Sequence, residues 1–196
     1  MKNNGFRKKW RLLIPVLLCT SCIACGGGDL PEHRRYEVYA DCVSFMGSLC
    51  GNTEYYLYDM DKDGTEELFV DAIFPVGRDT RAELYVYGYD SDRDELACMG
   101  ILPSGHISLY GTDVPNIFLR VHTITGGYVC YLVEYVPNEY SLKEGEFTER
   151  ILYEGNAFQE SVPDPTEFVP SAEYLTRYTE TGEYSQLFPD NSGDTE

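Results

Sequence analysis

Residues Tyr55 to Phe74 read YYLYDMDKDGTEELFVDAIF. The first four are aromatic or aliphatic, and the last seven are apolar except for Asp71. The nine between them are mostly acidic and carry Gly64. Aromatic and β-branched residues suit a pleated, half-buried surface, whereas Asp and Gly suit a tight connection. The stretch therefore reads as strand, loop, strand.

The same texture continues outward. Runs rich in Tyr, Val, Ile and Phe fall at 55–58, 67–74, 82–89, 95–102, 106–110, 116–123, 128–136 and 147–153, separated by Gly, Asp, Pro and Asn. This spacing predicts an antiparallel β meander, built as a sandwich or as a partial, propeller-like set of blades. Within Leu84-Tyr85-Val86-Tyr87-Gly88-Tyr89 the aliphatic residues take one face and the tyrosines the other, as a strand requires. Upstream, Tyr36, Tyr39, Ala40, Val43 and Met46 recur in steps of three and four. That predicts one long helix over 31–46, with Pro31 in its first turn and Gly47 near its end. Ser171 is expected to cap a short helix over 170–175. The expected class is mainly β (α+β), with the N-terminal helix packed on the sheet.

The loop of the first hairpin carries the chemistry. Asp59, Asp61 and Asp63 stand at positions 1, 3 and 5, Gly64 at 6, Thr65 at 7 and Glu67 at 9. A calcium ion takes six to eight oxygens at about 2.3–2.6 Å. The three aspartates and Glu67 offer carboxylate oxygens, Thr65 offers its backbone carbonyl, and Gly64 allows the sharp turn. Without a cation, so many carboxylates in one turn repel one another. The plain alternative is an acidic hairpin turn that binds nothing. Asp90-Ser91-Asp92-Arg93-Asp94 imitates the spacing but has no glycine and has Cys98 where the acid would stand, so it reads as a turn.

The motif looks like an EF-hand loop, but position 12 is Val70 where that family has a bidentate Glu, and both flanks are strand-like. Aromatic strand, DxDxDGxxE, aliphatic strand resembles the FG-GAP/VCBS repeat, whose calcium loops lie between strands of propeller blades. It also looks like the single such hairpin in uncharacterised surface lipoproteins of gut Firmicutes, where a YxLYDxDxDG run precedes a Tyr-rich meander. The motif covers residues 55–74 and the looser texture reaches about 153. By position, the resemblance implies Asp59, Asp61, Asp63, Thr65 and Glu67 as calcium ligands, and it implies no enzymatic activity.

At the amino terminus, MKNNGFRKKWR carries five basic residues and no acid, followed by an apolar run from Leu12 to Ala24. The pattern is that of an export signal over 1–24, and the run is too short for a comfortable membrane span. Cys22-Ile23-Ala24-Cys25-Gly26-Gly27-Gly28 resembles the lipobox of bacterial lipoproteins. It implies lipidation of Cys25, with Cys22 as the alternative, and a glycine tether over 25–30. The expected location is the extracytoplasmic face of the cell membrane, held by the lipid. One β-rich domain is expected over 31–188 and a disordered acidic tail over 189–196.

The chain has 15 Lys and Arg against 33 Asp and Glu. Loss of the five leader cations leaves 10 against 33, a net charge of −23. Such a surface repels nucleic acid and anionic headgroups. Cys42, Cys50, Cys98 and Cys130 permit two disulfides in three pairings, or remain as buried thiols. No HExxH, GxSxG, P-loop or GxGxxG occurs, and His33, His106 and His122 are isolated in sequence. The expectation is a lipid-anchored, calcium-stabilised module without enzymatic activity, which binds a surface glycan or an envelope protein. Carbohydrate binding or processing is the alternative, suggested by 17 tyrosines.

Overall fold

The computed structural model describes residues 31–50, 52–76, 79–124, 126–138, 141–156 and 163–179. The expected export signal, Cys22 and Cys25, the tether and the acidic tail lie outside the described residues. Helix α1 (Pro31–Leu49) is followed by strands β1 (Asn52–Tyr58), β2 (Glu67–Val76), β3 (Asp79–Asp90) and β4 (Glu95–Pro103). Then come β5 (Ile107–Gly111), β6 (Ile117–Ile124), β7 (Gly127–Asn138) and β8 (Ser141–Gly155). A 3-10 turn (Pro165–Glu167) and the short strands β9 (Glu173–Tyr174) and β10 (Tyr178–Thr179) complete the order.

The strands form two antiparallel five-stranded sheets, ordered β10-β1-β2-β3-β4 and β8-β7-β6-β5-β9. Each is a four-stranded meander joined by a two-residue strand at one edge. The sheets meet face to face over a shared core that includes Tyr56, Phe69, Leu84 and Val86 from the first and Leu109, Phe118, Val133 and Tyr135 from the second. Of the two architectures the sequence allows, this is sandwich packing.

The alternation read at Leu84–Tyr89 explains the layering. Leu84 and Val86 enter the core between the sheets. Tyr85, Tyr87 and Tyr89 face the other way, where α1 covers them with Tyr39, Val43 and Met46. The outer face of the second sheet is covered by the 3-10 segment, with Ala172 and Val169 against Leu119, Val121 and Cys130 and Phe168 stacked 4.3 Å from Tyr153. Among the described residues no helix is long and apolar enough to cross a membrane.

The short helix expected over 170–175 does not form. Asp164 caps the 3-10 turn instead, its Oδ1 accepting the Thr166 N–H at 2.9 Å, with Pro165 as the first residue of the turn. Glu173 and Tyr174 pair with β5. A six-residue helix gains too few hydrogen bonds to offset its nucleation, and edge pairing with Tyr174 packed against Tyr110 at 5.4 Å supplies more contact. Helix α1 runs to Leu49, with Gly47 inside it.

Gly111 is a point where the sheets approach closely. A Cβ there would lie 2.5 Å from the Tyr58 ring. That ring cannot yield easily, because its hydroxyl donates to the Thr112 carbonyl at 2.8 Å and accepts the Thr112 N–H at 2.7 Å. Gly111→Ala is therefore expected to destabilise the fold by about 1–3 kcal/mol, as overpacked cores do, read as a lowered denaturation midpoint in urea at unchanged m-value.

Candidate cation-binding loop

The loop between β1 and β2 is closed at its neck by the register pair Tyr58–Glu67 and fixed to the rest of the molecule from three sides. Met60 is fully buried in the core between the sheets. Its N–H donates to Glu67 Oε2 at 2.8 Å, and its carbonyl accepts the N–H of Asn116, in the turn between β5 and β6, at 2.8 Å. From α1, the Tyr36 hydroxyl donates to Glu66 Oε2 at 2.9 Å and the Tyr39 hydroxyl to the Glu66 carbonyl at 2.5 Å.

Inside the loop each aspartate holds backbone. Asp59 Oδ2 accepts the Gly64 N–H at 3.1 Å, Asp61 Oδ1 the Asp63 N–H at 3.2 Å, and Asp63 Oδ1 the Thr65 N–H at 2.7 Å. These bonds are local turn chemistry of the kind Asp favours. The chain needs two left-handed residues to make the bend, Gly64 at φ 89° and Lys62 at φ 64°. The first is easy for glycine and the second is costly for lysine. Lys62 Nζ donates to the Asp59 carbonyl at 2.8 Å and sits 4.2 Å from the centre of the Tyr58 ring, contacts that hold it in place.

Three of the five expected ligands come together. Asp59, Asp61 and Glu67 each offer a carboxylate oxygen, and the three oxygens lie within 4.8 Å of one another. Oxygens bound at 2.3–2.6 Å to one ion are at most about 5 Å apart, so this spacing suits a hard cation. Two ionised oxygens at such a distance repel by about 3–4 kcal/mol at a protein-surface dielectric. Glu67 is 0 % exposed, and a buried carboxylate is costly unless donors or a cation compensate it. Asp59 Oδ1 is also buried, and it has no hydrogen-bond partner. A buried acceptor in that state leaves room for water or an ion to bond it. Asp63 is exposed and lies outside this group; Thr65 enters the loop's bonding through its N–H to Asp63.

Sequence reasoning missed Met60, Glu66 and Asn116 as the anchors of this loop. The available signal was an apolar Met in an otherwise polar turn. The second acidic run is a turn, as read. Asp90 Oδ1 accepts the Asp92 and Arg93 N–H groups, while Asp94 receives Arg34 Nε at 3.0 Å and the Tyr89 hydroxyl at 2.8 Å. Its carboxylate is already matched by a side-chain cation.

Beside the loop lies a cleft of about 390 Å³, lined by Tyr36, Leu57, Glu66, Glu173, Tyr174 and Tyr178 among others. Elsewhere, two of the histidines that are isolated in sequence become neighbours. His122 sits opposite Ile107, next to His106, and its pKa is lowered by burial and by the positive charges of Arg120 and His106.

Asp71 is a buried acid of a different kind. Its Oδ1 accepts the Ser104 hydroxyl at 2.5 Å, but burial outweighs that bond and raises its pKa. A raised folded-state pKa favours the neutral acid. Its stabilising contribution is complete below the unfolded value of about 3.9 and is lost as pH rises through the folded value. Asp71→Asn is thus expected to raise the melting temperature at pH 7 and to leave it nearly unchanged at pH 3, compared by differential scanning calorimetry at the two pH values.

No protein-family model, curated protein or solved structure matches this chain.

Proposed function

We propose that the protein is a calcium-binding β module without enzymatic activity, held by a lipid on Cys25 (Cys22 in the alternative) at the outer face of the cell membrane, where it engages a surface glycan or an envelope protein. The observation that carries the reading is the buried, unpartnered Asp59 Oδ1 beside Asp61 and Glu67. Calcium suits that set because it accepts oxygen ligands in flexible geometry. Asp63 and the Thr65 carbonyl complete the shell in this proposal, with water filling what remains. The ion's role is structural: it ties β1 to β2 and, through Met60 and Asn116, the first sheet to the second.

Terbium replaces calcium on oxygen ligands and emits when a nearby tyrosine is excited; Tyr58 is next to Asp59. Terbium added to the protein is expected to give tyrosine-sensitised emission that calcium displaces and that Asp59→Asn abolishes. Absence of sensitised emission from the unaltered protein would count against the site.

A second reading, carbohydrate binding, is favoured by the cleft next to the loop. Tyr36, Tyr174 and Tyr178 offer ring faces and edges, and Glu66 and Glu173 offer acceptors for sugar hydroxyls. Retention of a glycan on an array, lost in Tyr174→Ala, is the expected result for that reading. An array without retained ligand rejects it.

A further inference from the structure

The four cysteines of the described residues are not equivalent. All are free thiols. Cys50 is buried under α1 on the outer face of the first sheet, and Cys130 is buried on the outer face of the second, so the thickness of the sandwich separates them. Cys42 and Cys98 belong together. Cys98 stands opposite Tyr87 in the β3–β4 register, which puts both side chains on the same face of the sheet. That face is the one covered by α1, where Cys42 and Tyr87 both pack. Burial and the nearby Cys98 both raise the Cys42 pKa, and Cys42 and Cys98 both bear on Tyr87.

An independent measure of level agrees. Arg34 on α1 is paired with Asp94, the turn residue just before β4, at 3.0 Å. From that pair, eight residues of helix to Cys42 advance about 12 Å, and four residues of strand to Cys98 advance about 13 Å. Cys42 and Cys98 therefore lie at about the same level, one on the helix and one on the edge strand. Cys98 is exposed and Cys42 is half-buried.

We propose that Cys42 and Cys98 are a disulfide-forming pair that fastens helix α1 to the edge strand β4. The oxidant is a disulfide, either small, such as oxidised glutathione, or the active-site disulfide of a thiol oxidase. The exposed Cys98 thiolate attacks one sulfur of the oxidant, forming a mixed disulfide and releasing the other half as a thiolate. Cys42, having lost its proton, then attacks Cys98 Sγ, and the second half of the oxidant leaves. The two cysteines lose two protons and two electrons in total, and the oxidant is reduced to two thiols. Without the bond, the exposed Arg34–Asp94 pair is a weak tie between these elements, as surface ion pairs are. The inference is independent of the proposed calcium site.

The test is oxidation of the folded full-length chain with oxidised glutathione, alkylation of remaining thiols after denaturation, digestion and mass spectrometry. The expected result is a cross-linked peptide pair joining Cys42 to Cys98, with Cys50 and Cys130 recovered alkylated. The melting temperature should rise on the order of 5–10 °C over the reduced protein, since the link closes a long loop. Cys42→Ser should trap glutathione on Cys98, and Cys98→Ser should yield no bond to Cys42. A stable glutathione adduct on Cys98 in the unaltered chain, or a link from Cys98 to any other cysteine, would overturn the pairing.

Discussion

Calcium added to metal-free protein is expected to raise its melting temperature by about 5–10 °C, while Asp59→Asn removes the rise. The size follows from mass action. A ligand at 100 times its Kd stabilises by about 2.7 kcal/mol, and in a domain of this size each kcal/mol moves Tm by about 2–4 °C. The variant is chosen because its effects separate. Asn keeps an oxygen to accept the Gly64 N–H, now held by Asp59 Oδ2, but it removes one negative charge from the group of Asp59, Asp61 and Glu67. In the absence of calcium its Tm should therefore match or exceed that of the unaltered protein, because repulsion among the carboxylates is relieved. Magnesium should give the smaller rise, since it demands near-octahedral geometry and dehydrates reluctantly. A loop that is merely an acidic turn would give no calcium-dependent shift.

The second large effect is expected at Arg120, which lies inside the sandwich and is 2 % exposed. Its Nη2 and Nε donate to Glu149 Oε1 at 2.5 and 3.1 Å on one side, and its Nη1 donates to the Pro103 carbonyl of the first sheet at 2.8 Å. Its guanidinium also lies 4.5 Å from the centre of the Tyr131 ring. Arg120→Ala removes a cation that joins both sheets and leaves the Glu149 carboxylate and the Pro103 carbonyl without their partner. With Glu149 partly exposed and able to rehydrate, the loss is about 2–4 kcal/mol, below the range for a fully buried pair, so Tm should fall by roughly 4–16 °C. Arg120→Met refills most of the volume and should recover part of the loss. If Arg120→Ala melted within a degree or two of the parent, the guanidinium would not be the tie between the sheets described here.

The strands were legible because their signal is local. Alternation at Leu84–Tyr89 assigns each residue to one of two faces, and Gly, Asp and Pro punctuate the runs, so all eight long strands and α1 lie where the sequence puts them. The loop was legible for the same reason, since the positions of its acids are fixed by a turn of a few residues. What escaped was non-local. Strands β9 and β10 are two residues each, too short for any periodicity, and they exist because the edges of β5 and β1 accept them. The burial of Met60 depends on the second sheet closing over it, and the nearness of His106 to His122, or of Cys42 to Cys98, on registers that no local pattern encodes. Ser171 carried a local helix signal, and edge pairing of the next residues overrode it.

The most direct test of the calcium reading is isothermal titration calorimetry of calcium into the purified, chelator-treated protein. One ion per chain, with uptake lost in Asp59→Asn and in Asp61→Ala, is the predicted result. A titration without heat or saturation across temperatures, or unchanged uptake in both variants, would contradict it.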